Sequence, residues 1–252
     1  LIYAIIQARL GSSRLPGKVM MEIQGKPVLG HVYNRISYSK LIDKIIVATS
    51  DLDEDRKIID FCKLNNIDFF AHSENDVLTR YYETAKNKGI SPGDHVVRIT
   101  ADCPLHDANV VDKVIKVFLD GDYDYVSNTF EYTYPDGLDV EIFSFNVLEE
   151  AWKNARLASE REHVTPYMKK NDKYKKTNVI SDKKYPIYRL TLDYKEDYEL
   201  IKNIYEGIGK AYFSLDETIK FLEKHIDYTR INENYDINEG YRKSLKEDRI
   251  VK

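Results

Sequence analysis

The chain has 252 residues, with 38 Lys plus Arg against 42 Asp plus Glu and a formal net charge of -4, a balance that excludes binding to a polyanion by bulk charge. At 42% hydrophobic and 32% charged residues, the composition is that of a soluble globular protein, long enough for one large α/β domain or two small ones. The longest apolar runs, Ile2 to Ile6 and Ile45 to Ala48, fall far short of the roughly 20 residues a membrane span needs. Cys62 and Cys103 make neither a metal-site spacing nor a disulfide framework, so a reducing, cytoplasmic setting is expected, with no membrane partner.

In chain order, strand-type and helix-type segments alternate, and the short apolar runs read as parallel strands covered on both faces. Ile2 to Ala8 is the first expected strand. A glycine-containing loop, Gly11 to Lys18, follows it, and a helix opens at Pro27, a favoured first helical position. Ile45 to Thr49 is the second strand. Asp51 or Asp53 can cap a helix through Ile58, Ile59 and Leu64, and Ile67 to Ala71 is the third strand. A helix from about Asp76 to Lys88 ends near Gly89, and the Ser91-Pro92-Gly93-Asp94 turn leads into the strand His95 to Thr100. Asp107 caps the next helix, whose apolar positions are Val110, Val111, Val114, Ile115 and Phe118, and Gly121 closes it.

The second half is mixed. Strands are expected at Tyr123 to Ser127, Leu138 to Phe143, near Val179 and at Ile187 to Thr191. Helices are expected at Asn146 to Ala155, Ser159 to Lys169, Lys195 to Tyr205 and Leu215 to His225. Lys169 to Lys184 carries seven lysines against two aspartates, the pattern of a solvated hairpin or loop. The chain shows no repeat and no dividing linker. It reads as one domain over residues 1–252, with a first half (1–128), a second half (129–230) and a polar tail (231–252) that either packs over the body or mediates a subunit contact.

The most informative segment is Gln7-Ala8-Arg9-Leu10-Gly11-Ser12-Ser13-Arg14-Leu15-Pro16-Gly17-Lys18, directly after the first strand. Glycines let a backbone approach an anion closely, and Arg9, Arg14 and Lys18 supply cations around it. It is not a Walker A loop, because the glycine spacing is one residue too long and Val19 stands where a hydroxyl would hold magnesium. Nor is it a dinucleotide fingerprint, since Gly207-Ile208-Gly209 follows a helix and lacks a third glycine. Any metal must therefore be held by carboxylates elsewhere. Val97 to Leu105 delivers Asp102 to the carboxyl end of its strand, on the same sheet edge as the loop, which makes it a magnesium candidate. Cys103 beside it is read as a packing residue. Asp193, at the start of a later helix, is either that helix's cap or a second metal ligand.

Taken together, Ala8 to Lys18, the Asp102-Cys103-Pro104-Leu105 box and Leu192-Asp193 followed by Glu196-Asp197 resemble the cytidylyltransferase superfamily, which activates acidic sugars such as 3-deoxy-manno-octulosonate and sialic acid as CMP derivatives. Ser73 to Tyr82, Gly137-Leu138-Asp139-Val140-Glu141, Arg161 to Tyr167 and Asn238-Glu239-Gly240-Tyr241 are similar to its SpsF-like branch, named for spore coat polysaccharide biosynthesis. The resemblance spans nearly the whole chain. It implies a mixed, mostly parallel sheet in a Rossmann-like three-layer α/β sandwich of the glycosyltransferase-A, nucleotidyltransferase type.

By the same resemblance Ala8, Arg9, Gly11, Ser12, Ser13, Arg14, Lys18 and Thr100 would bind the nucleotide, and Arg14, Lys18, Asp102 and Asp193 would be catalytic. Asp102 and Asp193 would hold Mg2+. Arg80, Asp139, Glu141, Glu162 and His163 would face the acceptor. One departure is Thr100, where the sugar-acid synthetases carry Gln two positions before the first metal Asp. The expected reaction moves CMP from CTP to an acidic or modified sugar with release of pyrophosphate, in surface polysaccharide or glycan biosynthesis, by an enzyme whose relatives suggest a homodimer. The alternatives are another NTP, GTP or UTP, with a sugar 1-phosphate, and a non-catalytic nucleotide-binding partner. Nucleic acid is not an expected ligand.

Overall fold

The computed structural model describes residues 1–251. The elements in chain order are β1 (Ile2–Gln7), the small hairpin β2 (Glu22–Ile23) and β3 (Lys26–Pro27), α1 (Val28–Ile36), β4 (Lys44–Thr49), α2 (Arg56–Leu64), β5 (Asp68–Ala71), α3 (Val77–Asn87), β6 (His95–Thr100), α4 (Ala108–Asp120), β7 (Tyr125–Ser127) and β8 (Glu141–Ser144). There follow α5 (Phe145–Asn154), α6 (Ala158–His163), α7 (Pro166–Lys170), β9 (Lys176–Asn178), α8 (Lys195–Ile208), α9 (Leu215–Lys224) and α10 (Glu239–Lys246).

Seven strands form one sheet in the order β5-β4-β1-β6-β8-β7-β9. β1 pairs in parallel with both β4 and β6, which sets Gln7 opposite Ala48 on one side and Thr100 on the other. β8 is the exception, antiparallel to both β6 and β7. The two-residue period of a strand sorts the core into layers. Ala4 and Ile6 pack with Leu29, Val32, Ile58 and Val114 from α1, α2 and α4. Tyr3 and Ile5 pack on the other face with Leu78, Tyr81, Ala85 and Leu148 from α3 and α5. A third cluster joins Ile23 and Val28 to Leu190, Leu192 and the apolar stripes of α8 and α9. The fold is thus the mixed, mostly parallel α/β sandwich that the sequence led us to expect.

Several elements differ from expectation. Ile187 to Thr191 is no sheet strand, for it makes one isolated bridge, Arg189 to Asp136. The Asp136 N–H donates to the Tyr188 carbonyl at 2.9 Å and the Leu190 N–H to the Asp136 carbonyl at 2.8 Å. The ladder stops there because Gly137 turns the chain away at φ 96, and the Leu138 N–H that would continue it donates to the Pro135 carbonyl at 3.3 Å instead. The expected strand Leu138 to Phe143 begins only at Glu141, because the Asn128 side chain takes over the backbone pairing, donating to the Leu138 carbonyl (2.8 Å) and accepting from the Val140 N–H (2.8 Å). The expected helix Ser159 to Lys169 breaks into α6 and α7, where Val164 sits at φ 71 and Pro166 lacks a donor.

Neither Asp51 nor Asp53 caps α2, which follows a 3-10 turn with no side-chain cap. The lysine-rich run is not a free loop. Its residues 176–178 form the edge strand β9, and Lys176 Nζ is tied to the carbonyls of Lys169 (2.8 Å) and Asn171 (2.9 Å). The tail packs over the body, with α10 against α6. No helix among the described residues is long and apolar enough to cross a membrane.

Candidate active site

A cleft of about 700 Å3 opens along the carboxyl edge of β1 and β6, and every side chain singled out from the sequence as nucleotide-, acceptor- or metal-binding lines it. The loop after β1 is built to hold its shape. The Leu10 N–H donates to the fully buried Asp55 carboxylate at 2.6 Å, and the Gly17 N–H closes the loop onto the Leu10 carbonyl at 3.0 Å. Gly17 has φ 74, a conformation that glycine adopts without strain, and it turns the chain so that Lys18 points back under the loop. Asp55 has no signature in the sequence that would mark it as a loop anchor, because its partner is a backbone N–H 45 residues away.

The Lys18 side chain is 10% exposed, and its Nζ bonds Asp102 Oδ2 at 2.6 Å and Asp193 Oδ1 at 2.7 Å. Asp102 and Asp193 therefore meet across 91 residues of sequence, held together also by the Leu192 N–H donating to the Asp102 carbonyl at 2.8 Å. Arg14 Nη2 reaches Asp193 Oδ2 at 2.6 Å, and Arg189 Nη2 reaches the same oxygen at 3.2 Å. Asp193 does not cap α8. The N-cap residue is Tyr194, and Asp197, fully buried in the first turn of α8, reaches back so that its Oδ2 accepts from the N–H groups of Asp193 (2.8 Å) and Tyr194 (2.9 Å) while its carboxylate also clamps Arg189.

Burial opposes charge on Lys18, yet the two aspartates more than offset it and its pKa is raised. Burial likewise pushes the Asp102 and Asp193 carboxyls up, but Lys18, joined at Asp193 by Arg14, pulls both below the ordinary aspartate value. Both acids are thus ionised at neutral pH. Asp102 Oδ1 is not taken by the lysine. Two ionised carboxylates converging beside a phosphate-type loop are a hard-oxygen donor set that suits magnesium, an ion commonly held by one or two carboxylates plus phosphate oxygens. Burial raises the Cys103 thiol well above its usual pKa, so it packs and does not act as a nucleophile.

The residues assigned to the acceptor side differ in how far they are already committed. Arg80 is buried and donates from Nη1 to the carbonyls of Ser73 (3.1 Å) and Glu74 (3.3 Å), and burial lowers its pKa to about 10. Glu141 is fully committed: Arg98 Nη1 at 2.5 Å, Lys169 Nζ at 2.8 Å, Thr165 Oγ1 at 2.8 Å and the Tyr125 hydroxyl all address its carboxylate. Burial works against its charge, but Lys169 and Arg98 hold its pKa far below normal, so it is a poor proton acceptor. Asp139 is the opposite case, with one weak donor, the Tyr132 hydroxyl at 3.4 Å. Burial and the neighbouring Glu141 charge raise its pKa to about 6.

Glu162 and His163 sit where Arg161 locks α6 to the start of α3 through Asp76 (Nε to Oδ2, 3.0 Å). Both meet Ser244 of α10. The sequence did not point to Asp136, Tyr132, Lys169 or Arg98 as cleft residues. Asp136 is buried, has an Oδ2 with no hydrogen-bond partner among the described residues, and has its pKa raised to about 7 by burial and then by Asp139. Lys169 was hidden in a charge run, and Arg98 in an otherwise apolar strand.

Comparison with known proteins follows the geometry. A family model described as cytidylyltransferase matches residues 3–228. The spore coat polysaccharide biosynthesis protein SpsF of Bacillus subtilis is 32% identical over 237 residues, 90% of this chain and 95% of that protein. The 3-deoxy-manno-octulosonate cytidylyltransferase 2 of Hydrogenovibrio crunogenus is 32% identical over 149 residues, 59% of this chain and 55% of its own length. A solved cytidylyltransferase from Leptospira borgpetersenii superposes with a TM-score of 0.85 at 34% identity, covering 94% of this chain and 99% of that one. With the matched span taking in the basic loop, Asp102 and Asp193 alike, the chain belongs to the cytidylyltransferase family and is a nucleotidyltransferase.

Proposed function

We propose that the protein transfers CMP from CTP to an acidic or modified sugar, releasing pyrophosphate, with magnesium as its metal, in surface polysaccharide or glycan biosynthesis. The observation that carries this reading is Lys18 Nζ bonded to Asp102 and Asp193 at 2.6 and 2.7 Å beneath a loop bearing Arg9 and Arg14. Cations of the loop would hold the triphosphate and offset the charge of the departing pyrophosphate, the term that dominates such transfers. Asp102 and Asp193 would hold the metal, which when bound neutralises phosphate charge. Lys18 then turns from an internal counterion into a phosphate contact. The chemistry is attack by an acceptor oxygen on the α-phosphorus, forming a P–O bond there while the bond to the β-phosphate oxygen breaks.

The proton on an acceptor hydroxyl needs a base. Asp139 fits better than Glu141, since its pKa of about 6 leaves it ionised at neutral pH without a strong partner. The names of the SpsF and 3-deoxy-manno-octulosonate relatives support a sugar acceptor and polysaccharide synthesis. The test is pyrophosphate release with CTP, UTP, GTP and ATP in turn, against a panel of sugar acids and sugar 1-phosphates. Turnover with CTP and a sugar acid is expected. Turnover only with UTP or GTP and a sugar 1-phosphate would replace this assignment with the other nucleotidyltransferase reading.

A further inference from the structure

The family match ends at residue 228, yet the segment beyond it forms one wall of the cleft. It is fastened at both ends. Asn238 Nδ2 donates to the Tyr132 hydroxyl at 2.7 Å, and the Tyr194 hydroxyl donates to Glu239 at 2.8 Å. Farther on, Asp248 accepts from the Ser159 N–H (3.0 Å) and hydroxyl (2.7 Å), and the Ala158 N–H reaches the Arg249 carbonyl at 2.8 Å. Between these anchors α10 presents Tyr241 and Ser244 to the cleft, beside His163 of α6. The tail spans from the Arg14 side of the site, where Gly240 lies against the guanidinium, to the acceptor side.

Ser244 settles the state of His163 by proton counting. Its Oγ lies 2.8 Å from Glu162 Oε2, 3.1 Å from the Gly240 carbonyl and 2.9 Å from His163 Nε2. A hydroxyl has one proton, and a carboxylate and a carbonyl can only accept. The Glu162 carboxylate, at 2.8 Å, is the strongest acceptor of the three and takes that proton, since a hydroxyl oxygen facing a carboxylate with no proton between them is repelled. The contact to His163 then requires Nε2 to donate. An imidazolium would also donate from Nε2, but burial lowers the His163 pKa to about 4, so the ring is neutral at pH 7. With its proton on Nε2, toward Ser244, it carries a lone pair on Nδ1, for which the described residues offer no hydrogen-bond partner. The Tyr241 ring, 5.0 Å away centroid to centroid and at 77° to the imidazole, props the ring from its side.

We infer that the C-terminal segment is a working part of the site: Ser244 positions His163 as an Nε2–H imidazole whose Nδ1 accepts a hydrogen bond from a hydroxyl or amide N–H of the acceptor sugar. The inference rests on the sugar-nucleotidyltransferase reading above and narrows its acceptor to one bringing a neutral donor to this wall. Ser244 is a positioning residue and His163 the group that touches the acceptor. Ser244 and His163 make no hydrogen bond to Arg14 or Lys18 among the described residues, so the two effects divide in the kinetics: nucleotide affinity belongs to the loop, acceptor affinity to the Ser244–His163 pair.

The test has two arms. Nitrogen-15 NMR of the free protein reads the His163 tautomer without any substrate. The Nε2-protonated form is expected in the native chain and a mixture in Ser244→Ala, with Ser244→Thr restoring the single form. Pyrophosphate release at saturating CTP and magnesium is then followed while 3-deoxy-manno-octulosonate or sialic acid is varied, using whichever turns over. Ser244→Ala should raise the acceptor KM about fivefold to tenfold, the cost of one hydrogen bond. CTP affinity by calorimetry should stay within about twofold, and Ser244→Ala with His163→Ala should lose no more than His163→Ala alone. An Nδ1-protonated His163 in the native chain, an unchanged acceptor KM, or an equal loss of CTP affinity would each overturn the inference. A native chain that releases no pyrophosphate with any NTP and acceptor contradicts the catalytic reading instead, and the tautomer then stands or falls on the NMR spectrum.

Discussion

Lys18 concentrates the account into one side chain. It is the only contact by which an ammonium, rather than a guanidinium, joins Asp102 to Asp193 among the described residues. Lys18→Ala should lower kcat/KM for pyrophosphate release by about 100- to 1,000-fold, the usual cost of removing one preorganised group that stabilises transition-state charge. Thermal unfolding would show whether the fold survives. Asp139 makes a prediction of the opposite sign in stability. Its carboxyl has a raised pKa of about 6 when folded against an ordinary aspartate value of 3.8, so the native state holds a proton that the unfolded chain has lost between those pH values. Stability contributed by this group is therefore greatest at low pH and falls as pH climbs from about 4 through about 6. Asp139→Asn should unfold at a higher temperature than the native chain at pH 8, with the gap closing by pH 4, while its turnover falls if Asp139 is the base. An Asn variant with an unchanged melting curve across that range would show that the site does not strain this carboxylate.

At the scale of elements, the sheet's middle is pinned by one buried charge cluster. Arg98 of β6, Tyr125 of β7, Thr165 just before α7 and Lys169 in its last turn all converge on Glu141 of β8. Breaking a buried pair by removing one partner leaves the others uncompensated. Glu141→Ala should thus cost about 3–5 kcal/mol in denaturant unfolding, far more than an exposed acid such as Asp53. The turn before β8 is equally constrained. A Cβ on Gly137, at φ 96, would lie 2.7 Å from the Leu190 carbonyl carbon, so Gly137→Ala combines a disfavoured backbone with a clash. It should destabilise the fold by more than about 1 kcal/mol. It should also weaken nucleotide binding, because the displaced 188–192 segment leads directly into Asp193.

How much of this was legible follows from locality. Strands β1, β4 and β6 and helices α3, α4, α8 and α9 were readable because periodicity, capping aspartates and glycine stops are local signals. The basic loop and Asp102 were readable for the same reason, since strand ends in parallel sheets put chemistry at known places. What could not be read was the capture of polar groups over long distances. Asn128 supplants a ladder from ten and twelve residues away, and Asp55 anchors a loop from 45 residues away. Ile187 to Thr191 had the composition of a strand but faced a turn, and composition says nothing of the partner.

Over the whole molecule, one cleft along the carboxyl edge of the sheet gathers side chains from both halves of the chain and from the tail, so a nucleotide and an acceptor bound as proposed would meet there. Ligand that binds the folded chain alone should stabilise it by mass action, and CTP with magnesium should raise the melting temperature of the native chain more than either does alone. The interdependence of nucleotide, metal and the two aspartates is what the account depends on, and isothermal titration of CTP reads it directly, in the presence and absence of magnesium, into the native chain and into Asp102→Asn. The native chain should give saturable heat that is markedly tighter with the metal, and Asp102→Asn should lose that gain. No heat with the native chain, or an Asp102→Asn protein whose CTP affinity still responds to magnesium as the native chain does, would contradict it.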